Sequence, residues 1–222
     1  MPTNHTRSTA VLLAATALTA GLLSGCAGDN WAEPHAAPTL VGDFGPGFVP
    51  SSDPSPEATI NPVAGSWDDV HPSSGYRVVL LTAGDDKPTR ALVKAITAWA
   101  SDEDVDLRTV TADDHLVDGI VAAMKLKPDL IVSAGNDLVD PLATVTANHL
   151  DQQFLVVGAE VAEPTGNVTA VDWSGASFRG EGNGASSTYD ADSFTAERCS
   201  AAVRAGVAAV LHGLTGIVLW ID

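Results

Sequence analysis

From Tyr76 onward, short apolar runs alternate with stretches of helical period, and this alternation limits the possible folds more than any other feature. Residues 76–81 form a β-branched apolar run of strand length, and 82–87 are a polar turn. Pro88 suits the first turn of a helix in which Leu92, Ile96 and Trp99 recur at helical spacing. A second strand is expected at 105–111. Asp113 or Asp114 would then cap a helix lined by Leu116, Ile120 and Met124. Further strands are expected at 129–134, 153–157, 167–173 and 216–221. Helices are expected at about 138–149 and 195–212, the last capped by Asp192 or Ser193. Strand–helix alternation with near-continuous apolar strands predicts an α/β fold: a doubly wound, mostly parallel sheet of five to six strands with helices on both faces.

The first 72 residues read differently. Arg7 is followed by an apolar run over 10–23, too short for a transmembrane helix but suited to the core of a signal peptide. The run ends in Leu22-Leu23-Ser24-Gly25-Cys26, which resembles the lipobox of bacterial lipoprotein signal peptides. The resemblance implies cleavage before Cys26 and a diacylglyceryl thioether on its sulfur, with N-acylation. The chain would then sit on the extracytoplasmic face of the cell membrane, held by its lipid, since stable anchoring needs more than one acyl chain. Residues 27–72 hold eight of the 13 prolines and show no period. With Cys26 they read as a disordered tether, domain 26–72 between a leader at 1–25 and a lobe at 73–222. Trp31, Phe44, Phe48 and Trp67 are exceptions, apolar spots suited to packing on the domain or the bilayer.

Composition excludes several classes. The formal net charge is −17, from 11 Lys+Arg against 28 Asp+Glu. Such a surface repels phosphate backbones, so nucleic acid is not an expected partner. Of two cysteines, Cys26 would be acylated, which leaves Cys199 alone and rules out an intramolecular disulfide or a cysteine zinc site. Cys199 falls on the apolar face of its helix and reads as packing. No histidine pair is spaced as metal ligands on one helix. Residues 174–177 are not a nucleophile elbow, and Gly180 to Gly184 lack the dinucleotide-binding spacing. No catalytic residue and no cofactor are expected. A phosphorylated receiver domain fits poorly, because the third strand ends in Ser133-Ala134-Gly135-Asn136 without an Asp.

In open α/β sheets ligands bind beyond the carboxyl ends of the strands. Those ends carry Asp85, Asp86 and Lys87, then Gly135 and Asn136, then Asp172 and Trp173. The carboxylates can accept hydrogen bonds from hydroxyls or an amine, Asn136 can both donate and accept, and Trp173 can stack on a ring. Each has a plainer reading: Asp85 as a turn residue, Asp86 and Asn136 as helix caps.

Three pieces in this order resemble the basic membrane protein family of bacterial solute-binding lipoproteins. They are Asp85-Asp86-Lys87 after the first strand, the strand ending in Gly135, and Gln153-Phe154 followed by Asn167-Val168 and Ser177-Phe178-Arg179-Gly180. The resemblance covers roughly half the chain. It implies one lobe of a type I periplasmic-binding fold, a small, nucleoside-like solute, and an ABC permease as partner. Departures are plain. Pro88-Thr89-Arg90 replaces the family's base-stacking aromatic and its neighbouring Asn, and the residues after Tyr76 suffice for only one lobe. A homodimer could supply a second wall. The alternative is a degenerate, ligand-free interaction module at the cell surface.

Overall fold

The computed structural model describes Met1, Trp31 and residues 33–222; the leader and Cys26 lie outside the described residues. Three two-residue strands come first: β1 (Leu40–Val41), β2 (Thr59–Ile60) and β3 (His71–Pro72). The alternating part follows as β4 (Arg77–Thr82), α1 (Lys87–Asp102), β5 (Asp106–Thr111), α2 (Leu116–Lys125), β6 (Leu130–Ala134), α3 (Val139–Thr146), β7 (Phe154–Val157), β8 (Val168–Asp172), α4 (Ala196–Leu211) and β9 (Val218–Trp220). Short 3-10 turns occupy Asn136–Leu138 and Ala191–Ser193.

The main sheet is wholly parallel and has seven strands, in the order β2–β9–β8–β7–β6–β4–β5. Successive strand residues point to opposite faces. Val78, Leu80, Leu130, Val132, Leu155 and Val171 therefore pack under α1 and α4, while Val79, Leu81, Ile131, Phe154, Val156 and Ala170 pack under α2 and α3. The doubly wound α/β architecture expected from the alternation is present.

Helix starts follow local chemistry. Asp86 caps α1 by accepting the Thr89 backbone N–H at 2.8 Å. At α4 the cap is Thr195, whose Oγ1 accepts from Arg198 N at 3.2 Å, and not Asp192 or Ser193. α2 begins after His115 with no side-chain cap bond, so neither Asp113 nor Asp114 has that role.

One connection is unusual. The connections through α2 and α3 run toward the β9 edge on one face, and the one through α1 runs toward the β5 edge on the other, so these three share a hand. The β8–α4–β9 connection also runs toward the β9 edge, yet α4 lies beside α1. Its hand is therefore opposite to theirs, although about 98% of such units share one hand. Gly206 lets α4 approach closely: a Cβ there would lie 2.5 Å from Leu155 Cδ1 and 2.8 Å from Val171 Cγ2.

The segment expected to be a disordered tether is instead packed over much of its length. β1 pairs with β3, and β2 adds a parallel edge strand beside β9, which accounts for the extra strand in the sheet. Phe48, Ile60, Trp67 and Val70 are buried in the core under α1 and α4. Phe44 stacks on Phe48 and on His212, each at 3.8 Å between ring centroids. The physical reason is that proline tolerates extended backbone, and a few large apolar anchors, each worth about 1.5–3 kcal/mol when buried, are enough to hold such a segment down.

Candidate functional site

The strand order reverses between β4 and β6: the chain goes from β4 outward to β5, then returns across β4 to β6. At such a reversal the loops at the carboxyl ends diverge and leave a crevice. The two loops meet closely at its floor. Gly135 has φ +122°, and a Cβ there would lie 2.4 Å from the Ala83 carbonyl oxygen. Only glycine allows both that conformation and that approach.

Above this point is a cavity of about 460 Å³ lined by Asn136, Ser177, Arg179, Glu181, Asn183 and Tyr189, among others. Asn136 opens a 3-10 turn without a side-chain cap bond, so its expected capping role is not taken. Tyr189 is half exposed. Its phenol is pushed above the ordinary range by partial burial and then by the charges of Asp86 and Asp190, so it stays neutral and can donate. Lys87 pairs with Asp192, whose carboxyl the ammonium holds below the usual range. Asp85 is exposed, and its carbonyl accepts from Arg90.

Two expected residues are placed elsewhere. Asp172 and Trp173 are fully buried. Trp173 Nε1 donates to Ser193 Oγ at 3.0 Å, and its ring meets Phe194 edge-on at 4.9 Å, so in this structure it packs the core and has no face open for stacking. Asp172 Oδ1 accepts from the backbone N–H of Trp173 at 2.8 Å and of Ser177 at 3.1 Å, and Oδ2 accepts from Ser186 Oγ at 2.9 Å. Both were expected on the rim because they end a strand. The loop that follows folds back over them and takes them out of solvent.

That loop is held at several points. Besides the Ser186 bond, the Glu181 N–H donates to Asp140 Oδ2 at 3.0 Å, and Asn183 Nδ2 donates to the Arg179 carbonyl at 3.1 Å. Ser187 Oγ accepts from Gly175 N at 2.9 Å. Beneath it the carboxyls of Asp172 and Glu160 lie close together, and Arg179 Nε lies 3.0 Å from Glu160 Oε2. Burial, and then the bond to Glu160, raise Asp172 from 3.8 to about 7; the donors from Trp173, Ser177 and Ser186 pull the other way. The sequence pointed to neither Asp140 nor Tyr189, and to Glu160 only as the end of a strand-end segment, Gly158 to Glu160. Glu160 and Asp172 sit on neighbouring strand ends but 12 residues apart, with no period linking them.

Other features are chemically quiet. Cys199 is buried, and burial pushes its thiol up to about 11, too high for a reactive thiolate. Among the described residues no group of three His, Cys, Asp or Glu could hold a metal, and no helix is long and apolar enough to cross a membrane. A second cavity of about 600 Å³ lies at the other end of the same rim, between Trp67, Arg198 and Trp220, away from the strand-order reversal.

No family model matches the chain, and no curated protein matches it. Several solved structures are similar in part. A solute-binding protein of an ABC transporter system from Aeropyrum pernix K1 aligns at 20% identity over 45% of this chain, with a TM-score of 0.39. The chain spans only 29% of that protein's length. A candidate lipoprotein fragment from Peptoclostridium difficile 630 aligns at 16% identity over 63% of this chain and 99% of its own, with a TM-score of 0.44. A periplasmic ribose ABC transporter protein from Conexibacter woesei DSM 14684 aligns at 18% identity over 67% of this chain and 54% of its own, with a TM-score of 0.33.

Proposed function

We propose that this chain is a lipid-anchored extracytoplasmic protein whose lobe binds a small polar solute without chemically changing it. The observation that carries the reading is the cavity at the β4/β6 reversal. It offers an aromatic face (Tyr189), an amide (Asn136) and a guanidinium (Arg179). That set suits a hydroxylated ring, and a nucleoside-like solute is the first class to try. Tyr189 supplies from the opposite loop the aromatic that is missing after Lys87. The lipobox resemblance at Cys26 supports the anchor, and the family resemblance supports delivery of the solute to an ABC importer.

The test is a thermal-shift screen of the mature chain against nucleosides, bases, sugars and amino acids. A ligand at 100 times its dissociation constant stabilises the fold by about 2.7 kcal/mol. The expected result is a raised melting temperature with one class, lost in Asn136→Ala. A folded protein that shifts with none of them overturns the binding reading and favours an interaction module.

A further inference from the structure

The second cavity, of about 600 Å³, lies at the carboxyl ends of β2 and β9. Sites for small molecules are typically about 300–1,000 Å³. One wall is the turn that follows β2, with Val63 in it and buried Trp67 behind. The first turns of α4 form another, and half-buried Trp220 and Ile221, at the end of β9, complete the apolar lining. The turn is fixed in place. Val63 N–H donates to the Gly47 carbonyl at 3.0 Å, Ser66 Oγ donates to the Val63 carbonyl at 2.6 Å, and Gly45 N–H donates to the Ser66 carbonyl at 2.7 Å.

The cavity holds both signs of charge, and they do not touch. Arg198 lines it and is half-buried. Among the described residues its guanidinium makes one hydrogen bond, a long one of 3.4 Å to the Ser193 carbonyl, and no ion pair. Arg179 and Arg204, with side chains 35% and 34% exposed, each lie within 4 Å of a carboxylate. Arg198 has none that near, although the exposed carboxylates of Glu197 and Asp222 line the same cavity. A half-buried charge without a partner is costly, and a ligand that supplies the partner recovers that cost. Thr195, the cap of α4, is also in the lining, so the positive end of that helix faces the same space.

We propose that this cavity is a second solute site and that it takes a free α-amino acid with an apolar side chain. A simple anion would meet Glu197 and Asp222, and a simple cation would meet Arg198 and the amino end of α4. A zwitterion fits between them. Its carboxylate accepts from Arg198, its ammonium donates to Glu197 or Asp222, and its side chain lies against Trp67 and Trp220. The site is separate from the cavity at the β4/β6 reversal and does not depend on what binds there.

The test is isothermal titration calorimetry of the mature chain with L-leucine and L-phenylalanine. N-acetyl-L-leucine, L-leucinamide and glycine serve as comparisons that lack the ammonium, the carboxylate and the side chain. The expected result is binding of both free amino acids, about 10- to 100-fold weaker binding of each blocked form, and none of glycine. Arg198→Gln should weaken L-leucine by about the same 10- to 100-fold, and Asn136→Ala should leave it unchanged. Glu197→Gln/Asp222→Asn should weaken L-leucine while N-acetyl-L-leucine changes little, a contrast that decides the matter even where Arg198→Gln fails to fold. The site is overturned when neither amino acid binds, or when the charge variants bind L-leucine as the wild type does. Binding lost in Asn136→Ala but kept in Arg198→Gln also overturns it; the amino acid then belongs to the first cavity, and the function proposed above stands.

Discussion

Replacing Asp172 by Asn should remove a defined part of the pH dependence of folding. In the folded protein Asp172 holds its proton up to about pH 7, whereas an aspartate in the unfolded chain releases it near 3.8. Between those values the folded state binds more protons, so stability falls as pH rises. The contribution is fully present below 3.8, declines through the interval, and is gone above 7. Each pH unit of the interval is worth about 1.4 kcal/mol, so the loss is on the order of 4 kcal/mol. Asparagine is a fair probe. Its Oδ1 can keep the backbone donors of Trp173 and Ser177, and its amide keeps a donor in place of the carboxyl proton. Urea unfolding at a series of pH values, at constant m, gives both profiles. Other carboxylates shape each profile equally, so the difference between the two isolates position 172. Wild type should lose on the order of 4 kcal/mol relative to the variant between pH 4 and 8. Parallel profiles would refute the raised, buried proton on Asp172.

Other substitutions test the packing. Trp67→Ala should cost about 3–5 kcal/mol in denaturant unfolding if residues 59–72 fold with the lobe, and nearly nothing if they form a loose tether. Gly135→Ala forces a side chain against the Ala83 carbonyl in a conformation glycine favours, and should lower the melting temperature by several degrees; an unchanged value would contradict the close crevice floor. In Gly206→Ala the gain in helix propensity, about 1 kcal/mol, opposes a clash with Leu155 and Val171 that costs about 1–3 kcal/mol. Net destabilisation is expected, and a more stable variant would show that α4 does not sit this tightly on β7 and β8.

The alternating core was legible because its signals are periodic. Val78 to Leu81 are buried on both faces of the sheet, so they read as an unbroken apolar run, and Leu92, Ile96 and Trp99 read as a single helical stripe. Asp86 as a cap was legible because its partner is three residues away. Residues 39–72 were misread because their anchors, Phe48, Ile60, Trp67 and Val70, follow no period and are separated by prolines that suggest disorder. Asp172 and Trp173 were placed on the rim by a rule about strand ends, which does not foresee a following loop that folds back and covers them. The crevice was legible at Gly135 and Asn136, whereas Tyr189 was not, because it comes from a loop without regular structure.

The pairing of β2 with β9 sets when this molecule can finish folding. Thr59 lies beside Val218, about 160 residues later in the chain. Closing a loop of that length costs about 4–5 kcal/mol beyond a fixed term, and two residue pairs of ladder return little of it on their own. The edge should therefore close last, once α4 has docked and the strands between have formed a template. A chain that emerges from its amino end would expose Phe48, Ile60 and Trp67 until α4 and β9 arrive. The delay between the emergence of β2 and that of β9 is the interval in which this protein is most open to aggregation and to chaperones.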